Sequence, residues 1–130
     1  RTHDLSTMGR MDGLIRDADL DVFGHLVDVP SVSIDSYATQ ANLQCLDFIK
    51  IDVEGAERQV IEGAAAVLQR LRPTLLVEVH DFEAPTLHAQ PFVADLIGRG
   101  YVVNDVETRH SIDPANYAGG TILAVHADRW

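Results

Sequence analysis

Disulfides, basic patches and membrane spans all find little support in this 130-residue sequence, which has one cysteine, 10 lysine and arginine residues against 20 acidic ones, and no long apolar run. Cys45 has no partner within the chain, so an internal disulfide is excluded and cysteine usage gives no sign of an oxidising compartment. No stretch approaches the roughly 18 to 20 apolar residues of a membrane span, and no secretory leader is visible. A reducing, cytoplasmic setting is therefore the expectation. At a net charge of −10 the chain lacks the basic footprint that lets a protein gain from counterion release on a phosphate backbone, so a nucleic-acid partner is not expected. Internal repeats and low-complexity tracts are also missing. The 46% hydrophobic content is ordinary for a globular chain, and the length suffices to bury a core, so residues 1–130 are expected to form one α/β domain.

The strongest organisation lies between Leu46 and His80. Phe48, Ile49, Ile51 and Val53 form a near-continuous apolar run of the kind found in parallel strands covered on both faces, with Lys50 as the exception. Residues two apart on a strand point the same way, which places Lys50, Asp52 and Glu54 on one face at spacings of roughly 6.5 Å. Gly55 permits a tight turn, and Glu57 falls in the first turn of the helix that follows, where negative charge meets the positive end of the helix. Val60, Ile61, Ala64, Val67, Leu68 and Leu71 recur at three- and four-residue spacing as a single apolar stripe, which Arg72 and Pro73 end. Thr74 to Val79 is a second apolar strand. The whole predicts a βαβ unit with parallel strands.

Outside this unit the pattern is coarser. Residues 1–30 suggest a long loop containing a short helix. Asp81 to Pro91 is polar and proline-bearing, a loop over the carboxyl edge of the sheet. Pro91 opens a helix in which Phe92 pairs with Leu96 and Val93 with Ile97, and Gly98 and Gly100 stop it before a strand at Tyr101. Glu107 to Ala118 carries turn signals and joins an antiparallel terminal hairpin. Tyr37 and Tyr101 are expected to pack in the core or at its rim, and His3, His25, His88, His110 and His126 to lie at the surface.

Polar residues gather at the two strand ends: Asp52 and Glu54 after the first strand, Glu78 and His80 at the second. Carboxyl ends of strands are where α/β proteins place their chemistry. Asp52 could orient a substrate or take a proton, or simply cap the helix. Glu54 could be a partner for Lys50 or a second cap. His80, with an ordinary pKa of ~6.5, suits a general base or a packed strand-end histidine. Together the four would suit a hard divalent ion such as Mg²⁺ or Mn²⁺, but their spacing is no closed metal motif and no metal site is assigned.

The block Phe48-Ile49-Lys50-Ile51-Asp52-Val53-Glu54-Gly55-Ala56-Glu57 resembles the hallmark of the FkbM family of S-adenosylmethionine-dependent methyltransferases. Gly63-Ala64, Arg72-Pro73 and Glu78-Val79-His80 follow in that family's order, Val32 to Tyr37 resembles its upstream segment, and Gly100 to Val103 and Thr121 to Val125 its last two strands. The resemblance implies a Rossmann-like class I fold and methyl transfer to a hydroxyl of a small metabolite, sugar or glycolipid. It implies Asp52 and His80 as catalytic residues, Asp52 also facing the cofactor, with Glu54, Glu78 and His80 against the acceptor. The family's glycine-rich cofactor-cradling opening has no counterpart: Gly9, Gly13 and Gly24 are scattered, and none follows an apolar strand. The expectation is thus the carboxyl-terminal half of the fold, with four strands of a mostly parallel sheet that includes a terminal antiparallel strand, and with a homodimer covering the open edge. Two other functions fit the residues. One is a noncatalytic interaction module of the same fold, favoured by the absent glycine loop. The other is a metal-dependent hydrolase using the acidic cluster.

Overall fold

The computed structural model describes residues 30–80 and 88–129. Helix α1 (Ile34–Gln40) begins at Ser33, whose side chain accepts from the Ser36 N–H. Strand β1 (Phe48–Ile51) leads through a turn into helices α2 (Glu57–Glu62) and α3 (Ala65–Leu71), then strand β2 (Thr74–Val79). After helix α4 (Ala89–Gly98) come strand β3 (Tyr101–Asp105), a 3-10 turn (Pro114–Asn116), strand β4 (Gly120–His126) and a second 3-10 turn (Ala127–Arg129). The expected βαβ unit is present, with β1 and β2 parallel and Ile51 level with Val77.

The expected single helix between them is two. Asp35, from α1, makes the break: its carboxylate accepts the Ala66 N–H at 3.0 Å and the Val67 N–H at 2.8 Å, capping α3 from outside, while its own N–H donates to the Gly63 carbonyl at 2.9 Å. Gly63 eases that close approach, because a Cβ there would lie 3.3 Å from the Ser33 Cβ and 3.3 Å from the Gln59 carbonyl oxygen, tighter than ordinary contact. The apolar stripe survives the break, with Ile61, Ala64, Val67 and Leu68 all buried. Arg72 ends α3 in the left-handed conformation at φ 51°, immediately before Pro73.

The sheet order is β1-β2-β4-β3. This corrects the expectation of a mostly parallel sheet. β1, β2 and β3 run in one direction, but β4 inserts between β2 and β3, so it turns both of its ladders antiparallel and leaves β1–β2 as the one parallel pairing among the described residues. The expected terminal hairpin is the β3–β4 pair. Register aligns the core: Val77 with Ile122, Leu75 with Ala124, and Ala124 with Val103 all lie on one face, buried together with Ile51, Val79 and Tyr101. Helices cover this face through Ile61 and Leu68, and through Phe92, Val93 and Leu96. Of the apolar pairs expected on α4, Ile97 alone faces outward.

Coverage of both faces, expected from the apolar run in β1, does not hold among the described residues. Phe48 is 50% exposed, Glu78 and Val102 are exposed, and Leu76 and Leu123 are half-buried on the second face. Tyr101 packs in the core as expected, with burial pushing its hydroxyl up to about 12, whereas Tyr37 is exposed. His126 departs from its expected surface position: it packs edge-on against the Tyr101 ring at 5.2 Å. Residues 1–29, with the loop and short helix expected there and with His3 and His25, lie outside the described residues, as do residues 81–87 of the expected edge loop. No described helix is long and apolar enough to cross a membrane.

Candidate functional site

Parallel pairing of β1 with β2 decides what meets at the carboxyl edge. Carried past Ile51 and Val77, the register sets Asp52 beside Glu78 and Glu54 beside His80, so the residues after one strand face those ending the other. The four expected residues do converge, with His80 at their centre. Its Nε2 lies 3.6 Å from Glu54 Oε2 and 3.6 Å from Glu78 Oε1. Asp52, Glu54 and His80 each bring one polar atom within 4.8 Å of the others.

Local backbone geometry makes this possible. Glu54 has φ 52° and Gly55 φ 99°, two consecutive left-handed residues that swing the chain out of β1 and into α2. Neither Asp52 nor Glu54 caps that helix; the position before it is Ala56, which makes no side-chain cap bond. Lys50 pairs with Asp52 at 2.7 Å rather than with Glu54, so the bland roles weighed for both carboxylates are absent. The Lys50 contact holds the Asp52 carboxyl below the ordinary carboxylate range, and Asp52 in turn raises the Lys50 ammonium.

One residue of the site escaped sequence reasoning. Glu57, expected in the first helical turn as a charge facing the positive helix end, is in addition 4% exposed and packed into the site. Its Oε1 accepts the Gly55 N–H at 3.0 Å and sits 2.9 Å from His80 Nδ1. The available signal was the pairing of a first-turn glutamate with a histidine ending the adjacent strand. The Glu57 hydrogen bond is the largest influence raising the His80 pKa. Partial desolvation opposes it, and the charges of Glu54, Glu57 and Glu78 add to it.

Chemically, the arrangement is an imidazole flanked by carboxylates at the carboxyl edge of two strands. It can receive a proton, hold a hydroxyl, or neutralise a cationic ligand. The spacing of Asp52, Glu54 and His80 would admit an ion, but the Lys50 ammonium already supplies Asp52 with a cation from within the chain, and no ion is assigned there. Further along the same edge, Asp105 at the end of β3 and His110, Ser111, Asp113 and Tyr117 of the segment that follows line a hollow of about 210 Å³.

Comparison with protein families gives a match to the model described as Methyltransferase FkbM domain over residues 5–103, most of the chain. Neither the curated proteins nor the solved structures compared with it give a match.

Proposed function

The chain belongs to the FkbM methyltransferase family, and we propose that it transfers a methyl group from S-adenosylmethionine to a hydroxyl of a small metabolite, sugar or glycolipid. The observation that carries this reading is His80, hydrogen-bonded to Glu57 and flanked by Glu54 and Glu78 at the shared carboxyl edge of β1 and β2. The fold we infer is Rossmann-like. Three strands running in one direction and a polar site at their carboxyl ends support that inference.

The donor set suits the cofactor: an edge bearing Asp52, Glu54 and Glu78 is electrostatically matched to a positively charged ligand. S-adenosylmethionine, when bound, supplies an electrophilic methyl on a sulfonium. With the cofactor bound, Asp52 would face that positive charge and orient the acceptor, its carboxylate kept ionised by Lys50. Glu54 and Glu78 border the acceptor and accept hydrogen bonds from its hydroxyls. His80 would receive the proton that the acceptor hydroxyl gives up on being methylated. Most of the barrier reduction in such a displacement comes from positioning, which rigid strand ends provide.

Calorimetric titration with S-adenosylmethionine and S-adenosylhomocysteine, beside a light-scattering mass, tests the proposal. Saturable micromolar binding is expected, with a homodimer mass if a second copy pairs with β1, whose one strand partner among the described residues is β2. A folded chain that binds neither compound would overturn the catalytic reading in favour of an interaction module.

A further inference from the structure

We propose that Glu57 is a positioning residue of this site, fixing the imidazole of His80 so that Nε2 is the nitrogen presented to the acceptor hydroxyl. The inference rests on the reading of His80 as proton acceptor and adds a residue to it.

The argument begins with what Glu57 can do where it is. A carboxylate only accepts hydrogen bonds. Glu57 Oε1 already takes the Gly55 N–H at 3.0 Å, and its other neighbour is His80 Nδ1 at 2.9 Å, so Nδ1 must carry a hydrogen. In the neutral ring the lone pair then belongs to Nε2, the nitrogen turned toward Glu54 and Glu78. Those two carboxylates stand at 3.6 Å, beyond hydrogen-bond range, so they add charge without fixing the ring. The groups facing His80 among the described residues are Glu54 after β1, Glu57 on α2, and Glu78 on β2, with Asp52 and its partner Lys50 alongside.

Burial separates this role from the ordinary one. An acidic residue in the first turn of a helix gains from the helix dipole while remaining in water. Glu57 is instead enclosed, and enclosing a carboxylate is costly unless a partner compensates it. The left-handed residues Glu54 and Gly55 aim the Gly55 N–H at it, which locks the carboxylate before it meets the ring. The same contact raises the His80 pKa, so the ring is a stronger proton acceptor than an isolated imidazole.

The test compares the chain with its Glu57→Leu variant, following methyl transfer from radiolabelled S-adenosylmethionine against pH beside a ring-nitrogen NMR titration of His80. Leucine keeps most of the bulk but offers Nδ1 no acceptor, allowing the hydrogen to move to Nε2. The expected result is a kcat lower by about 10²-fold, within the range a positioned base contributes, with the KM for the cofactor unchanged. The acid limb of the kcat profile moves to lower pH and the neutral ring shifts toward the Nε2–H tautomer. A folded variant whose acid limb and ring titration coincide with those of the parent overturns the proposal. Should the variant not fold, the parent spectrum decides: a neutral ring protonated mainly on Nδ1 supports the proposal, and one protonated mainly on Nε2 refutes it. Absence of methyl transfer by the parent would count against the proposed function, while the ring titration would still judge Glu57.

Discussion

Replacing Asp35 by alanine removes the acceptor of two backbone N–H groups at once, and the structure gives the size of the loss. An ordinary helix cap is worth ~0.5–2 kcal/mol. Here the carboxylate spans the Ala66 and Val67 amides at 3.0 and 2.8 Å, and Val67 is buried while Ala66 is exposed. Water can replace the bond to Ala66 but reaches Val67 poorly, so the cost should sit near the top of the range, about 2 kcal/mol. Asp35→Asn keeps one acceptor oxygen and should cost about half of that. For a domain of this size each kcal/mol moves Tm by roughly 4 °C, giving a fall of about 8 °C for alanine and about 4 °C for asparagine. Circular dichroism melts and urea titrations at constant pH measure both. If Asp35→Ala melted within a degree of the parent, the capping account of the α2–α3 break would be refuted, because a break held by packing alone would not respond to the loss of the carboxylate.

Other substitutions probe separate links. Gly100 has φ 91°, and a Cβ there would lie 2.9 Å from His126 Nε2, so Gly100→Ala should cost about 1–3 kcal/mol in urea denaturation; a neutral result would show that the His126 ring yields freely. Leu75 is fully buried at the centre of the core, and Leu75→Ala should destabilise by about 2–5 kcal/mol; a loss below 1 would mean that the helices close over the gap. Because the folded pKa of His80 is raised, its contribution to stability is complete below the unfolded value near 6.5 and fades as pH rises through the folded value. Unfolding free energy of the parent should therefore decline relative to a His80→Gln variant over that window, and parallel curves would contradict the His80 assignment. Asp52→Asn should reduce methyl transfer by about 10²-fold if Asp52 orients the acceptor; unchanged turnover in a folded variant would exclude that role.

Much of the βαβ unit was legible because its signals are local: apolar runs, a stripe at helical spacing, and Arg72-Pro73 as a stop. The meeting of four polar residues was legible too, since strand direction alone sends Asp52, Glu54, Glu78 and His80 to one edge. What could not be read depends on distant partners. Val60 to Leu71 keeps its stripe across Gly63-Ala64, so nothing local announces a break imposed by Asp35, some 30 residues earlier. Glu57 has the sequence context of an exposed helix-start charge, and its burial follows only from the register that brings His80 beside it. Insertion of β4 between β2 and β3 is likewise a long-range choice, and it alone reversed the expectation of a mostly parallel sheet.

That insertion has a consequence for the order in which the protein can assemble. β1, β2 and their helices form a unit whose partners are close in sequence, and they can pair as soon as they leave the ribosome. β3 cannot: its ladder is with β4, and it has no pairing with β2. Until β4 is synthesised, α4 and β3 have only an incomplete sheet to settle on, with the exposed flank of β2 and the apolar side chains of Tyr101 and Val103 awaiting cover. A late strand thus acts as a keystone, and a nascent chain stalled before Gly120 should be the form most prone to chaperone capture.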